Sequence, residues 1–409
     1  MTSQYLLLWI VGGILLQLAI YLGIGFGQHW QNYLALRQGG ADLEEPQPLT
    51  ATWPGWRNFK LVQRVVEDAE QQICSFYLAP EDGQTLLPYL PGQFLTFRLA
   101  IPTAAGGTEP ITRCYSLSDA PASQSYRVTI KRAPKGISSN FFHDQLPVGS
   151  LLQVRAPAGH FHISQSDAPV VLIAGGIGIT PMLSMLEWSL AKQTGREIWL
   201  FYGVRHSREL AMLARLQTLA ASYSNFHLQL CFSHPLPQDK AGDDFHYRGR
   251  IDVDLMRRLL PLKPYHFYIC GPTPMLESLV PELQDWGVPE ERIHYEAFGP
   301  ASIRRKNSAH SPAGAQADAT STDTPALIVS FAQSGKQLPW QASAGNLLDF
   351  AQANVIPISA GCRAGSCGTC QTSIRSGEVS YRQAPEFDPE PGSCLPCICT
   401  PKTPITLDV

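Results

Sequence analysis

The sequence predicts a multidomain chain: one transmembrane helix, then an antiparallel β-barrel, then a doubly wound α/β domain, and last a small domain organised by cysteines. Three observations support this prediction. Residues 5–26 are uncharged and, apart from Gln17, apolar. Near residue 166, short alternating runs give way to a succession of strand, glycine loop and helix. Six of the ten cysteines follow residue 361.

Length and composition set the limits of the prediction. A chain of 409 residues is too long for one ordinary hydrophobic core. With 44% hydrophobic and 16% charged residues, it is neither disordered nor wholly embedded in a membrane. The net charge is −3, and no basic stripe with interleaved aromatic residues runs along the chain. We therefore expect no nucleic-acid partner.

The apolar stretch at 5–26 is long enough to cross a bilayer. A helix of 22 residues spans about 33 Å, and the hydrocarbon core is about 30 Å thick. A cleaved signal peptide is the alternative, but the first four residues supply no positive charge. The first charged residue is Arg37, and further basic residues follow, so the positive-inside rule places the remaining domains on the cytoplasmic side. We expect a single-pass membrane protein with an anchor at 1–37 and a polar tether at 38–55.

Residues 56–165 consist of short alternating runs bounded by glycine and proline, which is typical of a small antiparallel barrel. Two motifs lie in this region: Arg113-Cys-Tyr115-Ser116, and Gly136-Ile-Ser138-Ser139 at a helix start. Either motif alone is a weak signal, since any barrel strand can carry such residues. Together and in this order they resemble the ferredoxin–NADP reductase superfamily.

The resemblance implies that the barrel binds a flavin, which needs cover for its ring, a hydrogen bond near its redox nitrogens and neutralisation of its phosphates. It places Tyr115 against the isoalloxazine and Ser116 near the reactive nitrogen. It pairs Arg113 with phosphate as a planar fork. The pyrophosphate would be bound by N–H groups at a helix N-terminus. FAD is favoured and FMN is the alternative. The remaining residues implied at this site are Lys131, Gly136, Ser138 and Ser139.

The alternation of strand-like and helix-like runs in residues 166–300 predicts a nicotinamide-binding domain with a doubly wound sheet. A strand-like run ends in Gly175-Gly176-Ile-Gly178-Ile-Thr180-Pro181. Its glycines permit close approach of a pyrophosphate, while Thr180 is expected to cap the following helix and Pro181 to open it. Pro181 replaces the third glycine of the usual dinucleotide fingerprint. The superfamily carries this same form, and also the later Cys270-Gly271-Pro272.

Three residues are predicted at the point of hydride transfer: Ser116, Cys270 and Glu296. In the superfamily this cysteine abuts the nicotinamide, although a packed core thiol is the commonest fate of a lone buried cysteine. The segment Glu296-Ala-Phe298 resembles the one that closes over both rings, so Phe298 either flanks a ring or belongs to the core. Arg205 could bind the 2′-phosphate of NADPH or lie in a solvated loop. We expect NADH, with NADPH as the alternative.

The strongest single signal is Cys362-Arg-Ala-Gly-Ser-Cys367-Gly-Thr-Cys370. This spacing, followed by a distant cysteine, is typical of a plant-type 2Fe–2S cluster. A zinc ribbon would use paired C-x2-C knuckles, and a reducing compartment disfavours a disulfide knot. We expect Cys397 as the fourth ligand because it precedes the last strand-like segment, as in plant-type ferredoxins. Cys399 is the alternative; if Cys397 is the ligand, Cys399 and Cys394 are expected to be half-buried or surface thiols without a metal role.

The last domain, 326–409, is expected to adopt the β-grasp fold of ferredoxins, after a flexible linker at 301–325 rich in small and polar residues. The whole set of motifs implies a membrane-anchored electron-transfer reductase. Electrons would pass from NAD(P)H through FAD to the cluster and then to a partner oxidoreductase, which the anchor suggests is membrane-associated. Two alternatives stay open: the electron-input subunit of an NADH:quinone reductase, and a membrane-tethered redox sensor.

Overall fold

The structure is a computed structural model. It describes residues 17, 53, 55–103, 106–121, 124–193, 195–298, 327–341, 344–363, 365, 367–381, 385 and 387–409. The predicted transmembrane helix, apart from Gln17, and the predicted linker at 301–325 lie outside these residues. No helix within the described ranges has both the length and the apolar character needed to cross a bilayer.

The first domain, here called the barrel domain, has six antiparallel strands. Their order across the sheet is β4-β3-β6-β1-β2-β5, and a bridge between Leu117 and Val128 brings the two ends of the sheet together. The inward-facing residues of these strands form one buried hydrophobic cluster. The strands are β1 (Arg57–Val66), β2 (Ile73–Pro80), β3 (Phe94–Thr103), β4 (Gly107–Ser116), β5 (Tyr126–Lys131) and β6 (Leu151–Val154).

A short helical segment packs onto the barrel between β5 and β6. Helix α1 (Ile137–Asn140) continues as one wider π turn, Phe141–Gln145. The ring of Phe142 is fully buried, and its centroid lies 5.2 Å from that of Phe76 and 5.5 Å from that of Phe97. This aromatic contact fixes α1, and with it the Gly136 turn, against the barrel.

The second domain, the parallel-sheet domain, confirms the doubly wound prediction. Its six strands are all parallel, in the order β10-β9-β8-β7-β11-β12. Helices α2 and α3 pack on one face and α4 and α5 on the other. The elements are β7 (Val170–Gly175), α2 (Ile179–Lys192), β8 (Ile198–Val204), α3 (Leu213–Ser222), β9 (Phe226–Phe232), β10 (Tyr247–Arg248), α4 (Val253–Leu259), β11 (His266–Gly271), α5 (Thr273–Asp285) and β12 (Ile293–Ala297).

The order in which successive strands are added to this sheet reverses between β7 and β11. Strands β7 to β10 run outward in one direction, and β11 and β12 then add on the other side of β7. Ligands of open α/β sheets bind in the crevice outside the carboxyl ends of the strands at such a switch point. Two predicted motifs meet there, the glycine turn after β7 and Cys270-Gly271-Pro272 at the end of β11.

The prediction that Thr180 caps α2 is wrong. The helix begins at Ile179, so Gly178 occupies the N-cap position and no side chain caps the helix. Thr180 is buried in the first turn, where its Oγ1 donates a hydrogen bond to the carbonyl of Ile177 at 3.1 Å. The reason is that a 3₁₀ turn, Gly176–Gly178, runs straight into the helix. Pro181 is tolerated within the first turn because N–H groups there have no intrahelical acceptor.

A network of four charged side chains joins the first two domains. Arg127 of the barrel domain lies 3.7 Å from Asp119 and 3.9 Å from Glu187 of α2. Arg215 of α3 contacts the same two carboxylates. Arg127 is 2% exposed and Glu187 is 8% exposed, so their pairing is largely shielded from solvent, whereas the Arg215 side chain is 48% exposed. The network holds the barrel against one face of the parallel sheet.

The third domain, the cysteine-rich domain, has the mixed sheet of a β-grasp fold and, among its described residues, one α-helix. The sheet order is β14-β13-β19-β15-β17, with β13 and β19 parallel, and β16 pairs with β18 separately. Asn346 caps α6 by accepting a hydrogen bond from the N–H of Asp349 at 2.8 Å. The elements are β13 (Ile328–Phe331), β14 (Lys336–Pro339), α6 (Leu347–Ala353), β15 (Thr372–Ser376), β16 (Val379–Tyr381), β17 (Ser393–Cys394), β18 (Cys399–Pro401) and β19 (Ile405–Leu407).

Candidate active site

The predicted flavin-ring residues lie at the carboxyl end of β4. Tyr115 is half-buried, and its ring centroid lies 5.8 Å from that of Phe97 and 5.3 Å from that of Phe142. Burial raises the pKa of the Tyr115 phenol, so it is a neutral group that can donate a hydrogen bond. Ser116 ends the strand and is 6% exposed. The two side chains thus present an aromatic surface and a hydroxyl at one edge of the barrel.

The predicted phosphate residues divide into those already engaged and those available. Ser139 Oγ accepts a hydrogen bond from the N–H of Ala133 and donates to the carbonyl of Gly136, so it holds its own turn together. Ser138 is 5% exposed, and its Oγ has no hydrogen-bond partner within the described part of the chain. Arg113 is exposed. An orphaned buried hydroxyl at a helix start fits an anionic phosphate, and the Arg113 guanidinium on β4 carries the positive charge that a phosphate requires.

Two predicted cofactor-binding cations, Lys131 and Arg205, contact the same carboxylate. The Lys131 ammonium at the end of β5 lies 3.5 Å from Glu209 Oε1, and the Arg205 guanidinium also donates to Glu209. Glu209 is 7% exposed, and although burial opposes ionisation, the hydrogen bond from Arg205 and the charge of Lys131 lower its pKa to about 2. The Glu209 carboxylate is therefore ionised at neutral pH. It links Lys131 of the barrel domain to Arg205 of the parallel-sheet domain.

The glycine turn after β7 is packed too tightly for side chains at two positions. A Cβ on Gly178 would lie 2.1 Å from the carbonyl oxygen of Cys270, and one on Gly175 would lie 2.8 Å from Pro272 Cδ. Gly271 and Gly175 are in close backbone contact as well. Gly176, by contrast, has a φ of +55° and open space around it. The turn therefore presents exposed backbone in the switch-point crevice, which fits a dinucleotide pyrophosphate.

Cys270 and Glu296 are neighbours across adjacent strands. They stand opposite each other in the parallel pairing of β11 with β12. The Cys270 thiol is fully buried, and this burial, together with the Glu296 charge, raises its pKa well above the ordinary value. A thiol that stays protonated is not an activated nucleophile. Phe298 follows on the same strand end and packs against the hydrophobic core of the parallel-sheet domain.

The cluster loop, defined as residues 361–371 without 364 and 366, brings the predicted metal ligands together with Cys397. Cys370 Sγ lies 3.2 Å from Cys397 Sγ, and the N–H of Cys362 donates to Cys367 Sγ at 3.3 Å. Among the described residues, no three His, Cys, Asp or Glu side chains surround one point as a single metal ion would require. A two-iron cluster takes two thiolates per iron, so two cysteine pairs fit it.

Cys394 and Cys399 are not the half-buried or surface thiols that the sequence suggested. Both are fully buried, and interaction with the Cys394 side chain raises the pKa of Cys399. The reason is that β17 and β18 bring both residues into the domain core. Of the two candidates for fourth ligand, Cys397 is therefore the one whose sulfur lies beside Cys370. The assignment of Cys397 stays a prediction, which this geometry favours.

Sequence reasoning missed one contact between the cluster loop and the barrel domain. Arg155, just after β6, donates from Nη1 to the carbonyl oxygen of Cys367 at 2.6 Å. The two residues are 212 positions apart. No local pattern marks Arg155, so only the tertiary structure reveals this contact.

Comparison with known proteins agrees with this arrangement. Family models match for an oxidoreductase FAD-binding domain at 58–163, an oxidoreductase NAD-binding domain at 172–280 and a 2Fe-2S iron-sulfur cluster binding domain at 332–402. A crystal structure of the flavohem-like FAD/NAD-binding domain of nitric oxide dioxygenase from Vibrio cholerae is 31% identical, with a TM-score of 0.52, over 60% of this chain and 100% of that one. The chain belongs to the ferredoxin–NADP reductase superfamily. It carries a C-terminal 2Fe-2S domain and is a flavin- and nicotinamide-dependent oxidoreductase.

Further relatives define how far the similarity reaches. Flavohemoproteins of Halalkalibacterium halodurans and Bordetella pertussis are each 38% identical, over 60% and 61% of this chain. The chain spans less than two thirds of these relatives, namely 61% and 62% of their lengths. Phthalate dioxygenase reductase shares the fold, with a TM-score of 0.53 at 24% identity over 87% of this chain and 98% of its own. That last similarity includes the cysteine-rich domain.

Proposed function

We propose that this superfamily member is a membrane-anchored reductase that takes electrons from NADH and delivers them, through FAD and the 2Fe-2S cluster, to a partner oxidoreductase. The observation that carries the proposal is the contact between Arg155 and the Cys367 carbonyl. It supports a direct route because it brings the cluster loop against the domain that carries the flavin residues. An oxygenase or desaturase is the proposed class of acceptor, since phthalate dioxygenase reductase has the same domain content.

The chain's residues have binding and positioning roles in this proposal. A bound flavin supplies the conversion between two-electron and one-electron transfer. Tyr115 supports the ring, Ser116 donates a hydrogen bond beside it, and Arg113 with Ser138 holds phosphate. Cys270, a neutral and tightly packed thiol next to Glu296, contributes to the surface against which the nicotinamide binds. No side chain needs to act as a general acid or base.

An anaerobic titration of the purified full chain with NADH tests the reductase proposal. We expect the flavin absorbance to bleach and the cluster to become reduced, with a rhombic low-temperature EPR signal. Dithionite serves as the control that both cofactors are present and reducible. A flavin that stays oxidised in NADH and NADPH, yet is reduced by dithionite, would contradict the proposal.

The membrane anchor is supported by the uncharged run at 5–26. We expect the full chain to sediment with membranes, to resist carbonate extraction and to be released by detergent. Deleting residues 1–37 should move the protein to the soluble fraction with its flavin retained. Carbonate-soluble full chain, or a truncated chain that still sediments, would refute the anchor.

Replacing Glu209 with glutamine is expected to tighten NADPH binding about tenfold, equivalent to about 1.4 kcal/mol, with NADH affinity changed less than about twofold. The reason is that Glu209 neutralises Arg205 and would repel a 2′-phosphate beside it. The measurement is the Kd of each nucleotide for the oxidised protein, by calorimetry. Glu290→Gln, an exposed carboxylate at the opposite end of the sheet, is the matched control. An equal change for both nucleotides would show that Glu209 does not discriminate between them.

A further inference from the structure

The contact between the cluster loop and the barrel domain is built from more than one hydrogen bond. Arg155 is placed by its own backbone, whose N–H donates to the carbonyl of Thr96 on β3 at 2.9 Å. Its guanidinium lies 4.8 Å from the centre of the Trp56 ring. These two contacts orient the side chain before it reaches the Cys367 carbonyl, so little conformational freedom is lost when that bond forms.

We propose that Arg155 is the docking residue of the cluster loop on the barrel domain, and that its hydrogen bond to the Cys367 carbonyl fixes the distance between flavin and cluster. This inference rests on the proposed function. Arg155 is a positioning residue, since it acts through Cys367.

The docking role is tested by Arg155→Met in the full chain. After rapid anaerobic mixing with NADH, we expect unchanged flavin reduction and cluster reduction slowed at least about tenfold. Amide hydrogen exchange across the cluster loop should also become faster. Arg98→Met, an exposed arginine on β3, is the control. Normal flavin content and reduction show that the variant is folded, and Arg155→Lys is a milder second variant.

The outcomes separate this inference from the proposed function. Native-like cluster reduction and hydrogen exchange in Arg155→Met would overturn the docking role while leaving the reductase proposal intact. If native protein reduced its flavin but not its cluster, the reductase proposal would fail. In that event the exchange rates would still decide whether Arg155 docks the loop.

Discussion

Replacing Cys397 with serine is expected to abolish the 2Fe-2S cluster, whereas Cys399→Ser should keep it. Both residues are almost fully buried and two positions apart, so the two substitutions are closely matched in volume and surroundings. Their sulfurs differ in what they approach. Cys397 Sγ lies 3.2 Å from Cys370 Sγ, whereas the Cys399 side chain interacts with that of Cys394, which raises the pKa of Cys399. Loss of one of four thiolate ligands leaves an iron under-coordinated.

Iron and acid-labile sulfide content, visible absorbance and low-temperature EPR measure this outcome. Flavin content should stay unchanged in both variants, because the flavin residues belong to another domain. Cys399 could take over as a ligand in Cys397→Ser, so the double variant is included and should contain no cluster. An intact cluster in the double variant would exclude both cysteines as the fourth ligand, and cluster loss in Cys399→Ser alone would reverse the assignment.

Replacing Gly178 with alanine is expected to slow reduction of the flavin by NADH at least about 100-fold, because a displacement of about 1 Å in a positioned substrate can have that effect. The added Cβ would lie 2.1 Å from the Cys270 carbonyl oxygen, which is backbone and cannot rotate away. The turn after β7 must therefore separate from β11, and the two halves of the nicotinamide crevice move apart.

Stopped-flow absorbance of the flavin after mixing with NADH measures the effect. Gly195→Ala lies in the same domain and its Cβ meets nothing within 4 Å, so it should reduce at the native rate. Dithionite should reduce the flavin normally in both variants, which shows that the cofactor is bound. A native rate in Gly178→Ala would mean that the crevice tolerates the displacement and that the nicotinamide does not depend on this turn.

The sequence predicted those features that are encoded locally. The apolar run at 170–174 reads as a buried strand and forms β7, because a strand covered on both faces needs apolar residues on both. The cysteine spacing locates the cluster loop in the same way, since the ligands of one loop are close in sequence.

Features that depend on distant residues were not predictable. Glu209 attracts Lys131 and Arg205, so two cations expected at cofactors have a protein partner, and that partner is visible only once the domains are packed. Arg155 meets Cys367 across 212 positions. The predicted cap of α2 was wrong for a local reason. A Thr180 cap would start the helix at Pro181, but the glycine turn starts it two residues earlier, at Ile179, so Thr180 lies inside the helix.

The charge network between the first two domains limits how this chain can be divided. A fragment that ended near residue 165 would keep the Asp119–Arg127 pair but lose Glu187 and Arg215, so both remaining side chains would lack their partners from the parallel-sheet domain. The barrel and parallel-sheet domains are thus one structural unit that binds two cofactors. Gene fusion or fission can add or remove a cluster domain at its end without opening that interface, in keeping with the flavohemoprotein relatives, whose similarity covers only part of this chain.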